Sequence, residues 1–110
     1  MKVILATLPP QNPAGFDPFD RGLQAAAVPP FNDQVRSLAA SKGVALVDVY
    51  QAFGLDLTLI GNDGLHPTAT GYHVIADAFL ASIRQTLELP AAPSSNPIRV
   101  VPWSVPPRRR

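Results

Sequence analysis

Two apolar runs with a long helical pattern between them constrain this chain more than any other feature. Residues 3–8 (VILATL) and 44–49 (VALVDV) are rich in β-branched and aliphatic side chains and lack the alternation of a half-solvated strand. They read as strands buried on both faces, as in a parallel sheet. Between them Phe31, Val35, Leu38 and Ala39 recur at helical spacing, and Gly43 supplies a C-terminal cap. Pro9, Pro10, Pro13 and Pro18 forbid regular structure until about residue 20. A strand–helix–strand order with so long a crossover implies parallel pairing. Two strands alone leave both sheet edges unpaired, so the pattern expects further strands on either side.

Downstream, Tyr50 to Gly54 reads as a short turn, followed by a loop to Asn62. Residues 63–80 (DGLHPTATGYHVIADAFL) hold an Asp three positions before a His, a Pro directly after it, and then an amphipathic stretch. Gly64 permits a tight turn across which Asp63 reaches one ring nitrogen of His66. The other ring nitrogen stays open to take a proton from a nucleophile, which is the acid–base half of a Ser-His-Asp triad. The last helix begins near Thr68, a good capping residue after Pro67, and ends near Leu89 before Pro90. Its apolar stripe is Tyr72, Ile75, Phe79, Ile83 and Leu87.

The block Asp63, His66, Pro67, Gly71 and the apolar run 74–80 resembles the closing block of the SGNH, or GDSL-type, hydrolases. Residues 3–10 resemble the strand and active-site loop that precede that block in the family, and residues 31–39 with 43–50 resemble the helix–strand step leading into it. The resemblance covers roughly residues 2–88. It implies an α/β fold: part of a three-layer α/β/α SGNH-hydrolase (flavodoxin-like) architecture with parallel strands, whose N-terminal half is missing. The implied domain is 1–89, with 90–110 as a Pro/Arg-rich disordered tail. The implied activity is serine-type hydrolysis of carboxylic esters. His66 would act as general base and then acid, and Asp63 would orient it. Gln11 and Asn12, in the Pro-rich loop where the family builds its substrate mouth, are substrate-binding candidates.

The family's Gly-Asp-Ser block has no counterpart here. Ser37, Ser41 and Ser82 lie in helical patterns and Ser94, Ser95 and Ser104 in the tail, so the chain contains no nucleophile. Gly61-Asn62-Asp63 lacks the spacing of the family's Gly-x-Asn-Asp and reads as loop. The isolated chain is therefore expected to be nearly inactive. The alternative to an esterase portion is a non-catalytic remnant, or a module complementing a separate chain that supplies the Ser. An interaction module acting through Pro90 and Pro93 is a third class, though no Arg stands where such a Pro-x-x-Pro ligand places one.

The remaining features narrow partners and cofactors. There is no cysteine, which excludes disulfides and thiolate metal sites. A metal reading of His66, His73 and Asp77 fails because two side chains seven apart on a helix do not converge on one ion, so neither cofactor nor metal is expected. His73 and Asp77 at i,i+4 read as a surface pair. Through residue 89 the chain carries five basic and eight acidic residues, while 90–110 carries four arginines and no acid. The acidic body gives no reason to expect nucleic acid. No segment approaches the ~18 consecutive apolar residues of a membrane span, and the expected partner is a small-molecule ester. Met1 runs straight into a strand pattern with no leader, which leaves localisation open if an N-terminal half precedes it.

Overall fold

The computed structural model describes residues 1–16 and 21–87. The element order is β1 (Ile4–Ala6), α1 (Arg21–Lys42), β2 (Ala45–Val47), α2 (Val49–Phe53), a 3-10 turn (Leu57–Leu59) and α3 (Ala69–Thr86). The two strands pair in parallel, with Ile4 opposite Ala45, Leu5 opposite Leu46 and Ala6 opposite Val47. The expected α/β order and parallel pairing are thus present. The reading of 90–110 as a tail falls outside the described residues, whereas α3 ends at Thr86 with Leu87 as its C-cap, short of the expected Leu89.

The core is small. Val47, Val49, Phe53 and Ile60 are buried together, and Ile4, Ala6, Leu59, Val74, Ile75, Ala78 and Phe79 pack against them. The strands are shorter than their apolar runs, and β1 is only half-buried along its length, with Val3 and Leu8 more than 40% exposed. Burial on both faces is therefore corrected: Ile4, Leu5 and Ala6 are each only partly buried, and among the described residues no strand pairs with the other edge of β1. The stripe on α3 is corrected for a related reason. Ile75 and Phe79 pack on the core, whereas Tyr72, Ile83 and Leu87 are exposed. An 18-residue helix is about 27 Å long, and a three-residue strand spans about 10 Å. The helix overhangs its support.

Helix α1 starts ten residues before Phe31 and carries Pro29 and Pro30 inside it. Each proline removes one helical N–H, but both are exposed, so water can reach the freed carbonyls. The buried face runs through Arg21, Val28, Asn32 and Ala39, not through Phe31 and Leu38, which face outward. Asn32 is completely buried: its Oδ1 accepts the Leu8 N–H at 2.8 Å and its Nδ2 donates to the Leu8 carbonyl at 2.9 Å. The amide thus stands in for a paired strand at the end of β1. The helix closes as expected at Gly43 (φ 64°), with Gly43 N–H on the Ala40 carbonyl and Val44 N–H on the Ala39 carbonyl.

The segment expected as a turn is the helix α2, Val49–Phe53, with Gly54 as its C-cap, because Asp48 caps it by accepting the Gln51 N–H at 3.1 Å. The same carboxylate accepts Thr7 Oγ1–H at 3.0 Å and two guanidinium bonds from Arg36 at 2.9 and 3.1 Å. Helices α1 and α2 and the segment leaving β1 therefore meet on one charge just after β2. The Arg36 bond first, then the Gln51 and Thr7 donors, hold the Asp48 carboxyl below its ordinary range against the opposing effect of burial. A carboxyl depressed by folding contributes stability that is complete above its unfolded value near 3.8 and is lost as pH falls below it. Asp48→Asn is expected to cost about 2 kcal/mol at pH 7. It should also flatten the loss of stability between about pH 4 and pH 2. Urea titrations across that range read both effects, and parallel wild-type and variant curves would show that Asp48 is not the linked group.

Candidate active site

The segment between Ile60 and Thr68 is a closed loop. Gly61 N–H bonds the His66 carbonyl at 2.7 Å, Gly64 N–H bonds the Gly61 carbonyl at 3.0 Å, and Ile60 and Pro67 form an antiparallel bridge. Helix α3 pins its far end. Thr68 is the N-cap, its Oγ1 accepting Gly71 N–H at 3.1 Å, while its own N–H reaches the Leu59 carbonyl at 2.8 Å. Gly71 is buried because the helix sits directly on that carbonyl: a Cβ there would lie 2.4 Å from the Leu59 oxygen.

Within this loop Gly64 takes φ 75°, the left-handed conformation that lets the chain double back. Asp63 Oδ1 then accepts the main-chain N–H of Leu65 at 2.8 Å and of His66 at 2.9 Å. Its Oδ2 meets His66 Nδ1. The His66 ring is the largest influence on Asp63, followed by the His66 and Leu65 main-chain donors; together they hold this carboxyl well below the usual carboxylate range. It stays ionised wherever a neutral imidazole could work. The His66 side chain is 69% exposed, and its Nε2 bonds no described residue. The arrangement is an imidazole with one nitrogen fixed by a carboxylate and the other presented outward.

Gln11 and Asn12 lie on the loop after β1. Gln11 Oε1 accepts from Arg21 Nη1 at 3.0 Å, and the Asn12 side chain accepts Ala14 N–H at 3.0 Å. Gln11 also lines a cavity of about 390 Å³, together with Pro10, Pro13, Ala25, Tyr50 and Leu57. Asn12 is not among the residues lining it. Ser37 and Ser41 sit on α1 and Ser82 on α3, and among the described residues no serine bonds His66. His73 and Asp77, one turn apart on α3, make no ion pair. No group of three or more His, Asp or Glu among the described residues could hold a metal ion.

The fold has close counterparts among solved structures. A GDSL-like lipase from Bacteroides thetaiotaomicron superposes on 79% of this chain with a TM-score of 0.63 and 26% identity. The chain is similar to part of a GDSL-type hydrolase. An acylhydrolase candidate from Bacteroides fragilis matches equally well, at TM-score 0.63 and 26% identity over 79% of this chain. This chain spans 44% of the length of each of these GDSL-like structures. No family model matches the sequence, and no curated protein does. No helix among the described residues is long and apolar enough to cross a membrane.

Proposed function

We propose that this chain supplies the base and the orienting acid of a serine-type carboxylic ester hydrolase, with Asp63 and His66 as two members of a triad. The carrying observation is the Asp63 Oδ2–His66 Nδ1 contact, with Nε2 left open, inside a fold matched by GDSL-like hydrolases. In this reading His66 Nε2 takes the proton of a serine hydroxyl as it attacks the ester carbonyl. It then returns that proton to the departing alcohol. Asp63 holds the Nδ1–H tautomer and stabilises the imidazolium formed between those steps. The serine and the groups that stabilise the oxyanion come from outside residues 1–110, either from further residues of the same polypeptide or from a complementing chain. Gln11, which lines the cavity next to the loop after β1, and Asn12 beside it are the candidates to meet the ester substrate.

A chimera tests this reading. Residues 1–87 replace the matched segment of the B. thetaiotaomicron lipase, which keeps that protein's own remaining segments. Turnover of p-nitrophenyl esters is expected from the chimera, and none above background from residues 1–110 alone. A chimera that unfolds cooperatively yet turns over no ester would sink the proposal.

A further inference from the structure

The loop after β1 and the loop carrying Asp63 touch through backbone. Asn12 N–H bonds the Gly64 carbonyl at 2.9 Å and Phe16 N–H bonds the Asn62 carbonyl at 2.7 Å, so two hydrogen bonds bracket Asp63. Between them Gly15 lies flat against Gly64. A Cβ on Gly15 would stand 2.3 Å from Gly64 Cα, 2.4 Å from its nitrogen and 2.6 Å from the Asp63 carbonyl carbon. The contact is reciprocal: a Cβ on Gly64 would stand 2.5 Å from the Asn12 oxygen and 2.8 Å from Gly15 Cα. These neighbours are main-chain atoms, which cannot rotate away as a side-chain tip can. The partner loop is itself braced, because Gly15 N–H returns to the Asn12 carbonyl at 2.9 Å and the Asn12 side chain takes Ala14 N–H.

We propose that residues 12–16 form a latch in which Gly15, packed without a side chain against Gly64, is a positioning residue for the Asp63–His66 pair. The inference rests on the triad reading of that pair for its functional meaning, though not for its geometry. Asp63 is half-exposed and His66 more so, and both sit on a nine-residue loop spanning Ile60 to Thr68. Local bonds within 61–66 close the turn, yet they do not fix where the turn stands relative to the sheet. The latch does that by tying it to the segment that leaves the end of β1. Any side chain at 15 must displace the Asp63–Gly64 peptide, whose Gly64 Cα and nitrogen and Asp63 carbonyl carbon it would meet, and this strains the contact of the Asp63 side chain with His66.

The test is Gly15→Ala in the full 110-residue chain, read by NMR. The expected result is a fall in the fraction of His66 carrying its proton on Nδ1, seen in ring ¹⁵N shifts, and a rise of the Asp63 carboxyl titration toward 3.8. Gly43→Ala is the control. It strains a φ of 64° where an added Cβ meets nothing within 4 Å, so it should lower thermal stability while leaving both signals in place. Should Gly15→Ala fail to fold, amide exchange in the wild-type chain decides. The latch requires Asn12 and Phe16 amides protected well beyond random-coil rates. Unprotected amides, or a folded Gly15→Ala chain with unchanged His66 and Asp63 signals, would overturn the latch. An inactive chimera alongside shifted signals would instead remove the esterase reading and leave the latch standing.

Discussion

Replacing His66 by alanine in the active chimera is expected to lower kcat about a million-fold, toward the rate left by binding and oxyanion stabilisation alone. A loss of that size is about 8 kcal/mol of transition-state stabilisation. The reason lies in the single open nitrogen. With Nδ1 committed to Asp63, only Nε2 can accept the serine proton, and no other titratable side chain of the loop replaces it. Asp63→Asn should cost less, about ten-thousand-fold, because the base remains but loses its tautomeric guide. An amide could present its NH₂ to Nδ1, which would favour the tautomer with the proton on the wrong nitrogen. The pair acts as a unit, so the double variant should fall no further than His66→Ala alone. Equal kcat for the wild type and His66→Ala would show that another group does the proton transfer. Additive losses would show that the two residues work separately.

How much of this could be read from sequence depends on how local each contact is. Asp63, Gly64 and His66 lie within four residues, so a left-handed glycine and two short side chains suffice to place their meeting. The Gly43 cap and the Thr68 cap are equally local and stand where the residue pattern puts them. Asp48 capped its turn strongly enough to make it a helix, though its bonds to Thr7 and Arg36 span 41 and 12 residues and leave no periodic trace. The start of α1 was hidden by Pro29 and Pro30, which argue against a helix interior unless their neighbours' carbonyls are hydrated. Its buried face differs from the expected one because hydrophobicity favours Phe31 and Leu38, while the position bonded to the end of β1 is held by an amide. Gly15 carried no signal at all, since its requirement comes from Gly64, 49 positions away. The outer edge of β1 illustrates the converse: an apolar run predicts cover that no described residue provides.

The amide at position 32 carries the largest stability effect expected of the described core. Asn32→Ala removes two hydrogen bonds to Leu8 and strands a main-chain N–H and C=O at the end of β1. Each buried group left unpaired costs about 1–3 kcal/mol. Leu8 is partly open, so water recovers some of that, and a net loss of about 3 kcal/mol is expected. In a domain of this size that lowers Tm by roughly 10–20 °C. Asn32→Asp should be worse than alanine despite being nearly the same shape. A carboxylate keeps the acceptor for the Leu8 N–H but sets a second oxygen against the Leu8 carbonyl, with a charge in a site that is 0% exposed. The consequence reaches the candidate site, because Leu8 leads directly through Pro9 and Pro10 into the loop that latches onto Gly64. Loosening Leu8 should therefore speed exchange of the Asn12 and Phe16 amides before the chain melts. Thermal melts and amide exchange on the two variants separate the effects. If alanine melts within a few degrees of wild type, water has replaced the amide and Asn32 is not what ties α1 to β1.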